Sequence, residues 1–98
     1  MSLPVVLRDE AQAEFDEAFD YYEGQQAGLG VDFATRVQQV FDRISANPLV
    51  HAVVFADVRK AVVIRFPYSV FYRAHADRVE VLAVFHSRRD PAIWQGRA

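Results

Sequence analysis

The sequence predicts an α+β fold, with element order β-α-α-β-β-β and an N-terminal helical hairpin packed on one face of an antiparallel sheet. Three observations lead there. Apolar residues recur at helical spacing through residues 11–44. After about Ala52 the period changes to the alternation expected of strands. The 98 residues contain no repeat, linker or low-complexity tract, so both layers must share one core in a single domain spanning 1–98.

Leu3 to Leu7 is a short, β-branched apolar run and reads as the first strand. Asp9 and Gln12 have the spacing of a helix N-cap and its capping-box partner. Ala11, Phe15, Ala18, Phe19 and Tyr22 then form an apolar stripe, and Glu10, Glu14, Glu17 and Asp20 occupy the rest of the helix as a solvated face. The earliest acids also suit the positive end of the helix dipole. Gly28-Leu29-Gly30 ends this helix, because glycine tolerates a left-handed backbone. A second stripe runs through Leu29, Phe33, Val37, Val40, Phe41 and Ile44 until Asn47-Pro48 stops it. So short a turn makes the two helices antiparallel neighbours.

Arg59 to Phe66 reads as a strand in which Val62, Ile64 and Phe66 alternate with Arg59, Ala61, Val63 and Arg65. Phe66-Pro67-Tyr68-Ser69 is a turn, Val70 to Arg73 a strand, and His75-Ala76-Asp77 a second turn. Val79 to His86 is the most apolar run, which predicts a central strand covered on both faces. Asp90-Pro91 opens a short terminal helix or tail anchored by Ile93 and Trp94.

The absence of cysteine excludes disulfides and thiolate metal sites. The N-terminal residues lack a basic n-region, and no apolar run nears the roughly 20 residues that span a bilayer. A soluble, cytoplasmic protein with no membrane association is expected. The formal net charge of −2 hides a division. Residues 1–57 carry three basic against ten acidic side chains, or −7, and residues 58–98 carry eight against three, or +5. The overall acidity argues against strong non-specific nucleic-acid binding, while the basic half suits an acidic or phosphate-bearing partner. A set of solvated helix faces and arginine-tipped strands would give the same division.

His51, His75 and His86 fall on separate elements without helical pairing, so no metal site is expected, and no cofactor motif is present. Gly28-Leu29-Gly30 follows a helix and precedes no phosphate-binding lysine. Ser87 beside His86 does not make a triad by adjacency.

Several local sequences occur in a distinctive order: Tyr21-Tyr22-Glu23, Gly28-Leu29-Gly30-x-x-Phe33 and Ile44-Ser45-Ala46-Asn47-Pro48. They are followed by Arg65-Phe66-Pro67-Tyr68-x-x-x-Tyr72-Arg73 and Val84-Phe85-His86-x-x-Arg89-Asp90-Pro91-x-x-Trp94. Over nearly its whole length the chain resembles the RelE/ParE toxin superfamily, and among its members the plasmid-stabilisation, ParE-like toxins of type II toxin–antitoxin systems. The resemblance implies a toxin held silent by a cognate antitoxin. RelE-like members cut messenger RNA on the ribosome, whereas ParE-like members block DNA gyrase without being nucleases. It leaves a homodimer and a toxin–antitoxin hetero-oligomer both open.

Metal-independent RNA cleavage needs a base for the 2′-OH, an acid for the leaving oxygen and cations around the phosphate. The RelE-like pattern supplies lysines and arginines before and within the sheet, often with a C-terminal tyrosine. In this chain Pro48 to Val58 holds no lysine or arginine, Lys60 is the single lysine, and no tyrosine follows Tyr72. These departures favour the ParE-like branch. The ribonuclease alternative would rest on His86, with Arg65 and Arg73 stabilising charge, and a decayed toxin that only binds antitoxin is a third reading. Strand alternation sets Arg59 and Arg65 on one side of their strand. Under the favoured reading Arg59, Arg65, Tyr72, Arg73, Arg88, Arg89 and Trp94 form the partner-binding set, the arginines pairing with acids on the antitoxin. Structural roles compete with these: His86 closing its strand against the Asp90-Pro91 turn, and Tyr72 packing its ring in the sheet.

Overall fold

The computed structural model describes residues 2–98. Strand β1 (Val5–Leu7) leads into helices α1 (Asp9–Gln25) and α2 (Leu29–Ala46). Strands β2 (Val53–Phe55), β3 (Val58–Val62), β4 (Tyr68–Ala74) and β5 (Val79–His86) follow, and a single turn of helix, α3 (Ala92–Gln95), comes last. The strands form one sheet in the order β1-β5-β4-β3-β2. β2, β3, β4 and β5 pair antiparallel with their neighbours, but β1 runs parallel to β5, with Val5 opposite Val79. The expected order therefore gains a strand, and the expected antiparallel sheet is mixed. β1 lies beside the last strand rather than a chain neighbour, so no hairpin fixes its direction.

Helix α1 begins one residue earlier than its expected cap implies. Arg8 is the N-cap and makes no side-chain capping bond, while Asp9 is already helical. Gln12 does not cap either; its Nε2 donates to Asp16 Oδ1 at 2.9 Å, one turn on. The start of α2 is capped from a distance. Gly28 takes φ +91°, a left-handed backbone suited to glycine, and the Glu23 carboxylate accepts from the Gly28 and Gly30 N–H groups, both at 2.9 Å. Phe33, Val37, Val40 and Ile44 are buried along α2, whereas Leu29 and Phe41 are only half-buried.

The expected strand Arg59–Phe66 is shorter. β3 ends at Val62, and Arg65 has φ +72° in the turn to β4, which breaks the alternation that would have placed it beside Arg59. Ala61 and Val63 are buried, while Val62 and Ile64 are more than half exposed. The segment read as a turn through Ser69 already belongs to β4 from Tyr68.

One buried cluster joins Ala11 and Ala18 of α1 and the α2 stripe to Val70, Tyr72, Val79, Val81 and Val84 of the sheet. Phe33 sits at its aromatic centre, 5.1–5.7 Å from the rings of Phe15, Tyr22, Phe66 and Tyr68. A second cluster covers the other sheet face: Val58, Phe71, Leu82, Ala83, Phe85 and Trp94. The register of β4 with β5 shifts between Phe71 and Tyr72, leaving Leu82 without an opposite residue. This bulge puts Leu82 and Ala83 in the same cluster and lets β5 bury apolar groups on both faces. Trp94 anchors α3, stacked on Phe71 at 4.0 Å, but Ile93 is exposed and does not.

Candidate partner-binding groove

An open groove runs along the edge of β5, where Val84 and His86 line it. β1 pairs only with Val79, Glu80 and Val81, so the β5 backbone beyond them lacks a strand neighbour on that side. Side chains take over. Arg97 donates to the Leu82 carbonyl at 3.0 Å, and the Val84 N–H donates to Glu14 Oε1 at 3.2 Å. Glu14 is almost enclosed, with 12% of its side chain exposed, and it also holds Arg97 in a two-pronged pair at 2.9 and 3.0 Å and Arg89 at 2.7 Å. One carboxylate thus ties α1, the free edge of β5 and the C-terminal segment together. Glu14 stands three residues after Ala11 and four before Ala18, on the buried side of α1. That spacing was the available signal for it; nothing in the sequence marked Arg97.

Glu10, Glu17 and Tyr21 on α1, with Tyr68, His86 and Arg89, complete the walls of an open groove of about 880 Å³. Burial pushes the Tyr68 phenol above its ordinary pKa, and the neighbouring Tyr22 adds to the shift. Tyr68 therefore keeps its proton and offers a poor base. His86 is half-buried, edge-on to Tyr68 at 5.1 Å, and its Nδ1 accepts the Arg88 N–H at 3.0 Å. A ring so engaged carries its neutral-form proton on Nε2. The partner is the Arg88 backbone rather than the Asp90-Pro91 turn; Asp90 Oδ1 instead accepts from the Ala92 N–H at 2.9 Å.

The remaining site candidates are spread over the molecule. Arg59 lies on the helix-covered face and donates to the carbonyls of His51 at 2.6 Å and Leu49 at 3.4 Å, bracing the connection from α2 to β2. Tyr72, fully buried, braces the same connection through its hydroxyl, which donates to the Pro48 carbonyl at 2.8 Å. Arg73 is on the opposite face, paired with Asp57 at 2.8 Å and Glu80 at 3.6 Å. Its guanidinium holds the Asp57 carboxyl below the usual range. Arg65 stands near the first half of α2, beside Asp32 and Arg36. Arg88 is exposed, and among the described residues neither it nor Arg65 has an ion-pair partner within 4.0 Å. Arg89 and His86 share the groove, whereas Arg73 does not reach it. In the β4–β5 register His86 faces Tyr68 and Arg73 faces Glu80, five residues on, or roughly 17 Å at about 3.3 Å per residue. The guanidinium groups do not converge on one surface.

A five-stranded mixed sheet, a pair of long helices and a groove rimmed by tyrosines and arginines describe a toxin of the RelE/ParE type. The chain belongs to the family described as the ParE toxin of the type II toxin–antitoxin system, parDE, whose model matches residues 5–91. Among solved structures it is similar to the chromosomal ParDE toxin–antitoxin system from P. aeruginosa. That likeness has a TM-score of 0.74 at 16% identity, covering 87% of this chain and 96% of the other, and it bears on the fold. No curated protein sequence gives a significant match. As a ParE-family toxin the chain has an antitoxin as its implied partner. Among the described residues no helix is long and apolar enough to cross a membrane.

Proposed function

We propose that this toxin inhibits DNA gyrase non-catalytically, by protein–protein contact, and that a cognate antitoxin neutralises it from the groove between α1 and the free edge of β5. The reading is carried by the separation of His86 from Arg73. The cations that share a lining with His86 are Arg89 and Arg97, both already paired to Glu14, and Lys60, not Arg73. Tyr68 is kept protonated and His86 Nδ1 is occupied by the Arg88 N–H, so neither atom offers a ready base.

The antitoxin part rests on the β5 edge. Backbone groups satisfied only by side chains are the kind of surface that an extended peptide covers by strand addition. Two assays run on the same preparation test the proposal. Purified toxin is expected to stop gyrase supercoiling of relaxed plasmid and to leave ribosome-bound message uncut. Message cleavage that disappears in His86→Ala, with supercoiling unaffected, would replace it with the ribonuclease reading.

A further inference from the structure

The face of the sheet away from the helices holds a second concavity, which adjoins the α1 groove and shares His86 and Arg89 with it. It is a cleft of about 310 Å³ between α3 and the β2–β3–β4 strands, walled by Val54, Lys60, Ser69, Phe71, Phe85 and Trp94, with Arg89 on the ridge toward the first groove. No acidic residue lines it. The polar side chains that line it are Lys60, Arg89, His86, Ser87 and the nine-tenths-buried Ser69, beside the Trp94 ring. Trp94 is 4% exposed, and its Nε1 is buried without a hydrogen-bond partner. An indole nitrogen can only donate, so burying it unpartnered is unfavourable unless an acceptor arrives. The ring cannot readily turn away, because it stacks on Phe71 at 4.0 Å and 15° and meets the edge of Phe55 at 5.8 Å. Lys60, directly opposite Phe71 in the β3–β4 register, has no ion-pair partner within 4.0 Å among the described residues.

We infer that this cleft binds an acidic segment of a partner protein, taking a carboxylate against Lys60 and the Trp94 indole with an aliphatic neighbour against Val54 and Val62. Charge complementarity selects the acid, since Lys60 meets no resident anion and Arg89 meets only Glu14, outside the cleft. The aromatic rings select against a nucleobase. Trp94 already covers one face of Phe71, and the Arg89 guanidinium lies 4.5 Å over Phe85, so neither ring offers a fully open stacking platform. Val54 and Val62 remain 48% and 59% exposed, supplying the aliphatic contact. The inference does not depend on which molecule the toxin attacks.

Trp94 is the only tryptophan, so its indole N–H gives one resonance in a ¹⁵N-labelled sample of the whole chain. The probes are an acetylated, amidated Leu-Glu-Leu-Glu-Leu peptide, its glutamine counterpart, inorganic phosphate and a hexauridylate. The glutamate peptide should move the indole signal saturably, and both the glutamine peptide and the Lys60→Gln variant should weaken binding about tenfold. Lys60 is exposed, so the variant keeps its fold. An indole signal that ignores the glutamate peptide, responds equally to the glutamine one, or saturates first with phosphate or hexauridylate would overturn the inference.

Discussion

Glu14 looks like one acid among many on α1, yet it receives hydrogen bonds from two arginines and a backbone N–H. Removing a nearly enclosed carboxylate strands its cations, so Glu14→Ala should cost roughly 3 kcal/mol in urea denaturation, whereas Arg88→Ala should stay within about 0.5 kcal/mol. His51 makes a separate, pH-dependent contribution. Burial, and then the nearby Arg43 charge, hold its pKa below the ordinary 6.5, and its Nε2 is buried without a partner. In the unfolded chain the imidazole takes a proton near 6.5 while the folded protein still resists. The unfolded state therefore binds more protons in that window, and stability falls as pH drops below about 6.5. Glu80 behaves in the same direction lower down: its hydrogen bond from His75, then the Arg73 charge, depress its pKa below 4.5, so its contribution is lost only below that value. Melting curves of His51→Gln should lose the decline that begins near pH 6.5 and keep the one below 4.5.

Elements were legible wherever their signals were local. The α2 stripe, the stop at Asn47-Pro48 and the apolar run of β5 all follow from spacing within one segment. β2 was not legible, because all three of its residues are exposed and its turn is Ala56-Asp57, with Ala56 at φ +51° and no glycine to announce a hairpin. The Leu82 bulge and the parallel pairing of β1 escaped for a different reason: register is a relation between distant strands and leaves no mark within either. The contact between helices gives a sharp test. A Cβ at Gly30 would stand 2.8 Å from the Phe19 carbonyl oxygen and 2.9 Å from Glu23 Cβ and Oε1. Gly30→Ala should therefore cost about 1–3 kcal/mol by forcing the helices apart and displacing the Glu23 cap. Gly24, within α1, has nothing within 4 Å of such an atom, and Gly24→Ala should stabilise by about 0.5–1 kcal/mol. Equal effects at the two glycines in thermal unfolding would contradict this packing.

Across the whole molecule, the division of charge along the chain turns out to be partly consumed by the fold. Acids of the first half meet bases of the second in Glu14 with Arg89 and Arg97, and in Asp57 with Arg73. Of the arginines counted as a partner-binding set, Arg59, Arg73 and Arg89 are engaged within the fold, as is Tyr72, whereas among the described residues Arg65 and Arg88 are not. Sequence spacing could list these residues but could not show which were already satisfied, because each pairing spans the chain. Non-catalytic inhibition has a signature of its own: activity should fall with the molar ratio of toxin to gyrase, reach completion near a fixed ratio, and not deepen with time. The most direct measurement is gyrase supercoiling titrated with purified toxin at short and long incubations. The proposal predicts superimposable curves that antitoxin addition reverses; full supercoiling at saturating toxin, or inhibition that grows with time at a fixed ratio, would contradict it.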